Sequence, residues 1–160
     1  VERVSNYLTE MGVDNEYFHG GMEQPERERA LSHFRNGSST VFISTDLASR
    51  GLDIPEVKNV IHYHLPVSEE PDEFFLPEVA KKPVRSEWVT LTINRGKRDK
   101  LSKKDVVGFL FQKGGLEKDD LGIVEIKESC AFAAVKRTKL SGLLGRIRNE
   151  KIKNMKAKFI

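Results

Sequence analysis

Residues 41–54 constrain the fold of this chain more than any other stretch. They begin as a short apolar run with β-branched residues, Val41 to Ile43, a pattern typical of a buried parallel strand. Polar groups follow at once, in Ser44, Thr45, Asp46, Ser49, Arg50 and Asp53. Open α/β sheets bind ligands at the carboxyl ends of their strands. The stretch therefore predicts an α/β domain with a ligand-binding edge, and an ordinary strand-to-loop junction is the alternative.

The rest of the first half alternates between helical and strand patterns. Helical spacing over residues 1–11 ends at Gly12, and residues 16–19 are predicted to form a short strand. A second helix is predicted to start at Gln24 and end at Asn36, and strands are predicted at 41–44 and 60–65. This order predicts a parallel sheet. His62 and His64 alternate along the last strand, and without an evident third ligand we interpret them as structural rather than metal-binding.

Charge divides the chain into two parts. The net charge of +3 combines −7 in residues 1–84 with +10 in residues 85–160. Such asymmetry suggests two modules, the second able to bind a polyanion, although a basic surface can also serve solubility alone. Cys130 is the only cysteine, which excludes an intrachain disulfide and fits a reducing compartment. No signal peptide or apolar run of membrane-spanning length is present, so we expect a cytoplasmic protein without a membrane partner.

The second half is predicted to adopt a different fold. Residues 88–93 alternate as a strand, a basic loop follows, and Ser102 is predicted to cap a helix with Val106, Val107, Leu110 and Phe111 as its apolar stripe. Two strands are predicted at 121–126 and 132–135. A helix capped by Thr138 and a last strand at 157–160 complete the order β-α-β-β-α-β. This is the ferredoxin-like arrangement of RNA recognition motifs, an α+β fold.

The string from Thr45 to Asp53, TDLASRGLD, resembles motif V of the DEAD-box RNA helicases at every fixed position. His19-Gly20-Gly21 followed by Gln24 and Arg27 resembles the region before motif V in the same superfamily. The resemblance implies a RecA-like domain. It assigns Asp53 and Gly51 to ATP, and it assigns the following residues to RNA: Gly20, Gly21, Gln24, Arg27, Thr45 and Arg50.

Several parts of such a domain are missing from these 160 residues. The family's motif VI, His-Arg-x-Gly-Arg, does not follow Pro66, and neither a phosphate-binding loop nor a D-E-A-D sequence occurs. We therefore expect residues 1–70 to be part of a second RecA-like domain, 71–84 a linker and 85–160 the second module. We also predict that a disordered or deleted segment separates Glu70 from Pro71 in the natural chain.

Residues 85–160 resemble the C-terminal RNA-binding domain of DbpA-type DEAD-box helicases. The matching stretches are residues 94–97, 105–110, 114–116 and 135–137. RNA recognition motifs stack bases on sheet aromatics, but Thr92 occupies the expected aromatic position and only Phe132 remains on the open face. We therefore expect RNA binding by charge and shape. The candidate RNA-binding residues are Arg95, Lys97, Arg98, Lys100, Lys103, Lys104, Phe132, Lys136 and Arg137.

Together these patterns predict part of an ATP-dependent RNA helicase that remodels structured RNA. The resemblance implies ATP and Mg²⁺ as cofactors of the full-length enzyme, with none bound by this part alone. It implies RNA, particularly large-subunit ribosomal RNA, and the first RecA-like domain of the same protein as partners. Two alternatives remain: a non-catalytic RNA-binding protein with a degenerate RecA remnant, and a protein-binding module that uses Trp88 or Phe132.

Overall fold

The computed structural model describes residues 1–46, 52, 54, 57–63 and 85–160. The first half contains α1 (Glu2–Glu10), β1 (Asn15–Phe18), α2 (Gln24–Arg35) and β2 (Val41–Ser44). Strands β1 and β2 pair in parallel, with Asn15 opposite Val41. The predicted alternation of helices and strands and the parallel pairing are confirmed.

Local sequence explains where these elements end. Gly12 adopts φ +77°, a conformation that a glycine accepts without steric cost, and its N–H bonds the Thr9 carbonyl at 2.9 Å. Helix α2 opens with a capping box, in which the Glu26 carboxylate accepts from the Glu23 N–H at 3.1 Å. Pro25 lies in the first turn, where its missing N–H costs no hydrogen bond.

One predicted strand of this half is wrong where the structure describes it. Residues 57–63 contain no strand, and the side chains of Val60, Ile61 and Tyr63 are 73%, 84% and 79% exposed. A strand requires a hydrogen-bonding neighbour, and among the described residues of this half only β1 and β2 pair. The remaining positions of the predicted strand, 64 and 65, lie outside the described residues.

The second half is an antiparallel sheet covered by two helices. Its elements are β3 (Trp88–Ile93), α3 (Lys103–Gln112), β4 (Leu121–Ile126), β5 (Ala131–Lys136), α4 (Arg137–Ile147), β6 (Lys151–Ile152) and β7 (Met155–Lys156). The sheet order is β3-β5-β4. Thr92 and Ile160 exchange backbone hydrogen bonds of 2.7 and 3.0 Å, so the C-terminal residues extend the sheet beyond β3. The predicted order is confirmed from the first strand through α4, as β-α-β-β-α, whereas the predicted last strand at 157–160 is present only as an isolated bridge between Ile93 and Phe159.

The hairpin formed by β6 and β7 was not predicted. Its two-residue turn, Lys153 and Asn154, has positive φ at both positions, which is the geometry of a type I′ turn. Asparagine tolerates this conformation better than most residues do, but a lysine beside it gives a weak sequence signal.

One core lies between the sheet and helices α3 and α4. It is built around Leu91, Ile93, Val106, Leu110, Leu143 and Ile147, all fully buried. The expectation for Phe111 is wrong, because its side chain is 36% exposed. Phe109 is buried in its place and stacks on Phe159 at 5.4 Å between ring centroids. The predicted Thr138 cap is also wrong, since α4 already begins at Arg137 with Lys136 at the N-cap.

Helix α2 lies across the face of this sheet that α3 and α4 leave open. Ser32 is fully buried, and its hydroxyl donates to the Glu125 carboxylate of β4 at 2.7 Å. The His33 ring meets the Phe132 ring edge-on, with centroids 6.2 Å apart and planes at 84°. Phe132 is consequently only 2% exposed. The first half of the chain therefore covers the sheet face of the second half.

Polar contacts surround this interface. The Ser38 and Thr90 hydroxyl oxygens lie 2.5 Å apart. At the edge of the interface Arg137 donates to the Asp14 carboxylate at 3.2 Å and to the Ser86 carbonyl at 2.7 Å. Each of these polar side chains has a hydrogen-bond partner across the interface, as buried polar groups require. No helix in the described part of the chain is both long and apolar enough to cross a membrane.

Candidate nucleic-acid interface

The loop that follows β3, residues 94–100, is fixed to the turn between β4 and β5. The N–H groups of Lys97 and Arg98 donate to the carbonyls of Lys127 and Glu128 at 2.9 and 3.0 Å. A Cβ added to Gly96 would lie 2.4 Å from the Lys127 carbonyl oxygen, closer than real Cβ atoms approach. The loop therefore requires glycine at this position, and its backbone holds the following side chains in place.

The start of α3 continues this surface, and the predicted capping box is confirmed. The Ser102 N–H donates to the Asp105 carboxylate at 2.8 Å, and the Asp105 N–H donates to the Ser102 hydroxyl at 3.3 Å. Hydrogen bonds from the Ser102 side chain and backbone, with one from Lys153, hold the pKa of Asp105 below its usual value. The carboxylate therefore stays ionised within a cationic surround.

Five of the predicted RNA-binding side chains are exposed together on this loop and helix start. They are Lys97, Arg98, Lys100, Lys103 and Lys104, which we call the basic surface. Arg95 differs, because it is partly buried and donates to the Lys156 carbonyl at 2.9 Å. Its guanidinium ties the loop to the C-terminal hairpin. Clustered, solvent-exposed lysine and arginine side chains are suited to contact phosphates.

The structure corrects the expectation that Phe132 lies on an open face. At 2% exposure beneath His33, the ring has no surface on which a base could stack. Arg137 is likewise engaged by Asp14 and Ser86, whereas Lys136 is partly exposed at the end of β5. Phe132 and Arg137 are therefore both engaged at the interface. Among the described residues, Lys136 has no ion-pair partner there.

Sequence reasoning missed two lysines of the β6–β7 hairpin. Lys153 donates to the Lys100 carbonyl at 2.8 Å and to the Asp105 carboxylate at 3.2 Å, and Lys151 is exposed beside it. The only available signal was the concentration of positive charge near the C-terminus. The hairpin turn that brings these lysines to α3 gave no recognisable pattern, so the sequence could not place them there.

In the first half, four of the predicted RNA-contacting residues lie near the start of α2. Arg27 donates to the Gly20 carbonyl at 2.5 Å, and its guanidinium lies 5.8 Å from the centroid of the Phe18 ring. Gly20, Gly21 and Gln24 are exposed around it. Thr45 follows β2, and its hydroxyl is buried without a hydrogen-bond partner among the described residues. These positions are compatible with an RNA-binding edge, and their role stays a prediction.

Three of the predicted site residues in this motif lie outside the described residues. They are Arg50, Gly51 and Asp53, so the structure gives no geometry for the predicted ATP contacts. The junction between Glu70 and Pro71 lies outside them as well. Within the described ranges no cluster of three or more histidine, cysteine or acidic side chains is arranged to hold a metal ion.

Comparison with known proteins matches the two halves of the chain to two different families. The family "Helicase conserved C-terminal domain" matches residues 1–77, and the family "DbpA RNA binding domain" matches residues 90–159. DEAD-box ATP-dependent RNA helicase 35A of Oryza sativa subsp. japonica is 43% identical over 70 residues, which cover 44% of this chain and 11% of the relative. Helicase 3B, chloroplastic, of Zea mays is 47% identical over 73 residues, or 46% of this chain and 9% of the relative.

A further relative spans both halves. ATP-dependent RNA helicase DbpA of Escherichia coli K12 is 27% identical over 177 residues, which cover 85% of this chain and 39% of the relative. The chain thus spans about a tenth of the plant relatives and about two fifths of the bacterial one. Because the 177-position alignment is longer than the chain itself, the bacterial relative has positions without a counterpart here. The missing segment after Glu70 stays a prediction, and the length of this alignment agrees with it.

Proposed function

The chain belongs to the DbpA-type DEAD-box RNA helicases, and on that premise we propose that it is the RNA-targeting part of an ATP-dependent RNA helicase. In this proposal residues 85–160 bind structured RNA through the basic surface. Residues 1–70 belong to the second RecA-like domain of the motor, which closes on RNA together with the first. The target we propose is ribosomal RNA during assembly of the large subunit, and we propose that the enzyme acts in the cytoplasm.

One observation carries the RNA-binding part of the proposal. The basic surface is exposed and fixed by backbone hydrogen bonds at 2.9 and 3.0 Å, while the sheet face of the same domain is covered. Because the loop backbone is already fixed, only the side chains lose conformational freedom on binding, which favours affinity. Phosphate neutralisation by such cations releases counterions from the RNA, so affinity should fall steeply with salt.

ATP and Mg²⁺ enter this proposal as cofactors of the whole enzyme. ATP hydrolysis would supply the energy for closing and reopening the two RecA-like domains around RNA. The residues assigned to ATP in this chain are Gly51 and Asp53, and a carboxylate is a suitable hydrogen-bond acceptor for a ribose hydroxyl. The relatives are named ATP-dependent RNA helicases, which supports ATP as a cofactor of the whole enzyme.

The test compares two charge reversals at opposite ends of the sheet. Arg98→Glu changes the basic surface, and Lys118→Glu makes the same change in charge at an exposed position before β4. Binding of the 160-residue chain to large-subunit ribosomal RNA fragments and to a random duplex would be measured across a salt series. We expect Arg98→Glu to weaken binding about tenfold and to flatten the salt slope, with little change for Lys118→Glu.

The two parts of the proposal fail differently in this experiment. Equal effects of both variants would mean that net charge alone drives binding, which would overturn the role of the basic surface. Equal affinity for ribosomal fragments and random duplex, with Arg98→Glu still selectively weakened, would leave an RNA-binding surface and overturn only the ribosomal target.

A further inference from the structure

A groove of about 350 Å³ lies between α3 and the β6–β7 hairpin. It is lined by Lys104, Asp105, Gly108, Phe109, Gln112, Lys113, Lys151 and Lys153. Its volume is at the lower end of the roughly 300–1,000 Å³ typical of small-ligand sites, and it is too small for a double helix. Asp105, Gly108 and Phe109 belong to a stretch that carries the family resemblance, but the predicted site residues include only Lys104, at the rim of the groove.

The charge of the groove favours an anion. Lys104 and Lys151 are exposed at its rim, and neither has an ion-pair partner within the part of the chain that the structure describes. Lys113 pairs with Glu150 at 3.4 Å, so its charge is partly compensated. Lys153 pairs with Asp105 at 3.2 Å, so that single acid in the lining is already neutralised. The groove therefore offers at least two uncompensated ammonium groups to a ligand.

The floor of the groove is open and apolar. A Cβ added to Gly108 would meet no atom within 4 Å, so this turn of α3 leaves its backbone accessible from the groove. Phe109 is held beneath it by stacking on Phe159, with planes 7° apart. The amide of Gln112, exposed at one side, can both donate and accept hydrogen bonds. A ligand that has a flat ring with polar edges and flanking phosphates matches this combination of an apolar floor, an amide and two ammonium groups.

The groove is continuous with the basic surface. Lys104 belongs to both, and the hydrogen bond from Lys153 to the Lys100 carbonyl joins the hairpin to the loop. We propose that this groove binds one unpaired nucleotide of the RNA that the basic surface holds, with its base over Gly108 and its flanking phosphates on Lys104 and Lys151. This inference rests on the proposed function, and it assigns the groove to single-stranded rather than duplex RNA.

Filling the groove tests the proposal directly. Gly108→Leu places a side chain in the open space, and Gly145→Leu is the matched control, because that glycine of α4 is also helical and free of atoms within 4 Å. Both substitutions replace a helical glycine with a better helix former, so both variants should melt no lower than the parent chain. The probes are an RNA hairpin with an unpaired loop and a blunt duplex with the same stem.

We expect Gly108→Leu to weaken hairpin binding about tenfold while duplex binding stays within about twofold, with Gly145→Leu changing neither. Lys151→Ala should reduce the salt slope for a single-stranded oligonucleotide by about 0.7, the value for one phosphate contact. Unchanged hairpin binding by Gly108→Leu, with Arg98→Glu still impaired, would overturn the groove and leave the proposed function standing. Equal weakening of hairpin and duplex would also overturn it, since the groove would then be part of a general cationic surface.

Discussion

The second half of the chain has two surfaces with opposite properties. Its sheet face carries Thr90, Glu125 and the buried Phe132, and it is covered by α2 of the first half. Its loop end carries the exposed lysines and arginine of the basic surface together with the groove beside α3. One surface is occupied within the chain, and the other is exposed in the part of the chain that the structure describes.

The residue types explain this division of roles. A face that carries hydroxyls and an acid beside Trp88 and the buried Phe132 is poorly suited to RNA, because Glu125 repels phosphate and Phe132 offers no surface for stacking. The same face suits Ser32, whose hydroxyl needs an acceptor once it is buried. The sheet face of this domain therefore contacts the first half of the chain, and the proposed nucleic-acid binding falls to the cationic end.

The largest effect is expected from a substitution that destroys both surfaces at once. Leu110 of α3 is fully buried between the sheet and the helix that begins the basic surface. Leu110→Ala should lower the free energy of unfolding by about 3 kcal/mol, because it removes buried apolar surface and leaves a cavity. Chemical denaturation followed by Trp88, the only tryptophan, would measure this loss. Phe111→Ala, at a 36% exposed position of the same helix, is the control and should cost much less.

A smaller effect is expected when only the covered face is disturbed. Glu125→Ala leaves the Ser32 hydroxyl buried without its acceptor and should weaken the contact between the halves by about 1–2 kcal/mol. Trp88 reports on this contact, since a Cβ added to Gly37 would lie 3.7 Å from its ring. Its emission should shift to longer wavelength in the variant. Glu128→Ala, which removes an exposed acid paired only with Lys97 at 3.7 Å, should leave the emission unchanged.

The pH dependence of the same contact sharpens this prediction. Burial raises the pKa of Glu125, but hydrogen bonds from Ser32 and Lys127 outweigh it and leave the pKa below the ordinary 4.5. A lowered pKa in the folded state means that the stabilisation is present above about pH 4.5 and is lost as pH falls through the folded-state value. The Trp88 shift of the parent chain should therefore begin only below that pH. A transition centred well above pH 4.5 would contradict it.

Sequence reasoning placed most of the elements because their signals are local. The capping box of Ser102 and Asp105 and the alternation in β3 depend on neighbours within a few residues, and both are confirmed. The choice between Phe109 and Phe111 failed because it depends on Phe159, about 50 residues away, which returns to stack on one of them. A helical pattern alone does not decide which of two close aromatic residues faces a distant partner.

The candidate site was predicted only in part for the same reason. The basic surface is contiguous in sequence and was identified from it, whereas Lys151 and Lys153 reach it through a hairpin turn with no clear signature. The covering of Phe132 could not be predicted either. It depends on Ser32, His33 and Ser38, which read as an ordinary polar side of α2 and its following loop until the second half is placed against them.

The smallest expected effect is also the sharpest test of the comparison. Ser38 and Thr90 have hydroxyl oxygens 2.5 Å apart across the interface, close to the roughly 2.05 Å of a disulfide. Ser38→Cys with Thr90→Cys, in a Cys130→Ser background, should therefore cross-link under mild oxidation and lock α2 on the sheet. Ser38→Cys with Ser141→Cys is the control, because Ser141 is exposed on α4, on the other side of the sheet, and should not cross-link.

If RNA binds only at the cationic end, the locked chain should retain its RNA affinity within about twofold of the reduced chain. A large loss of affinity on locking, reversed by reductant, would mean that RNA needs the covered face and that α2 competes with it. The two surfaces would then be alternative states of one site rather than separate roles.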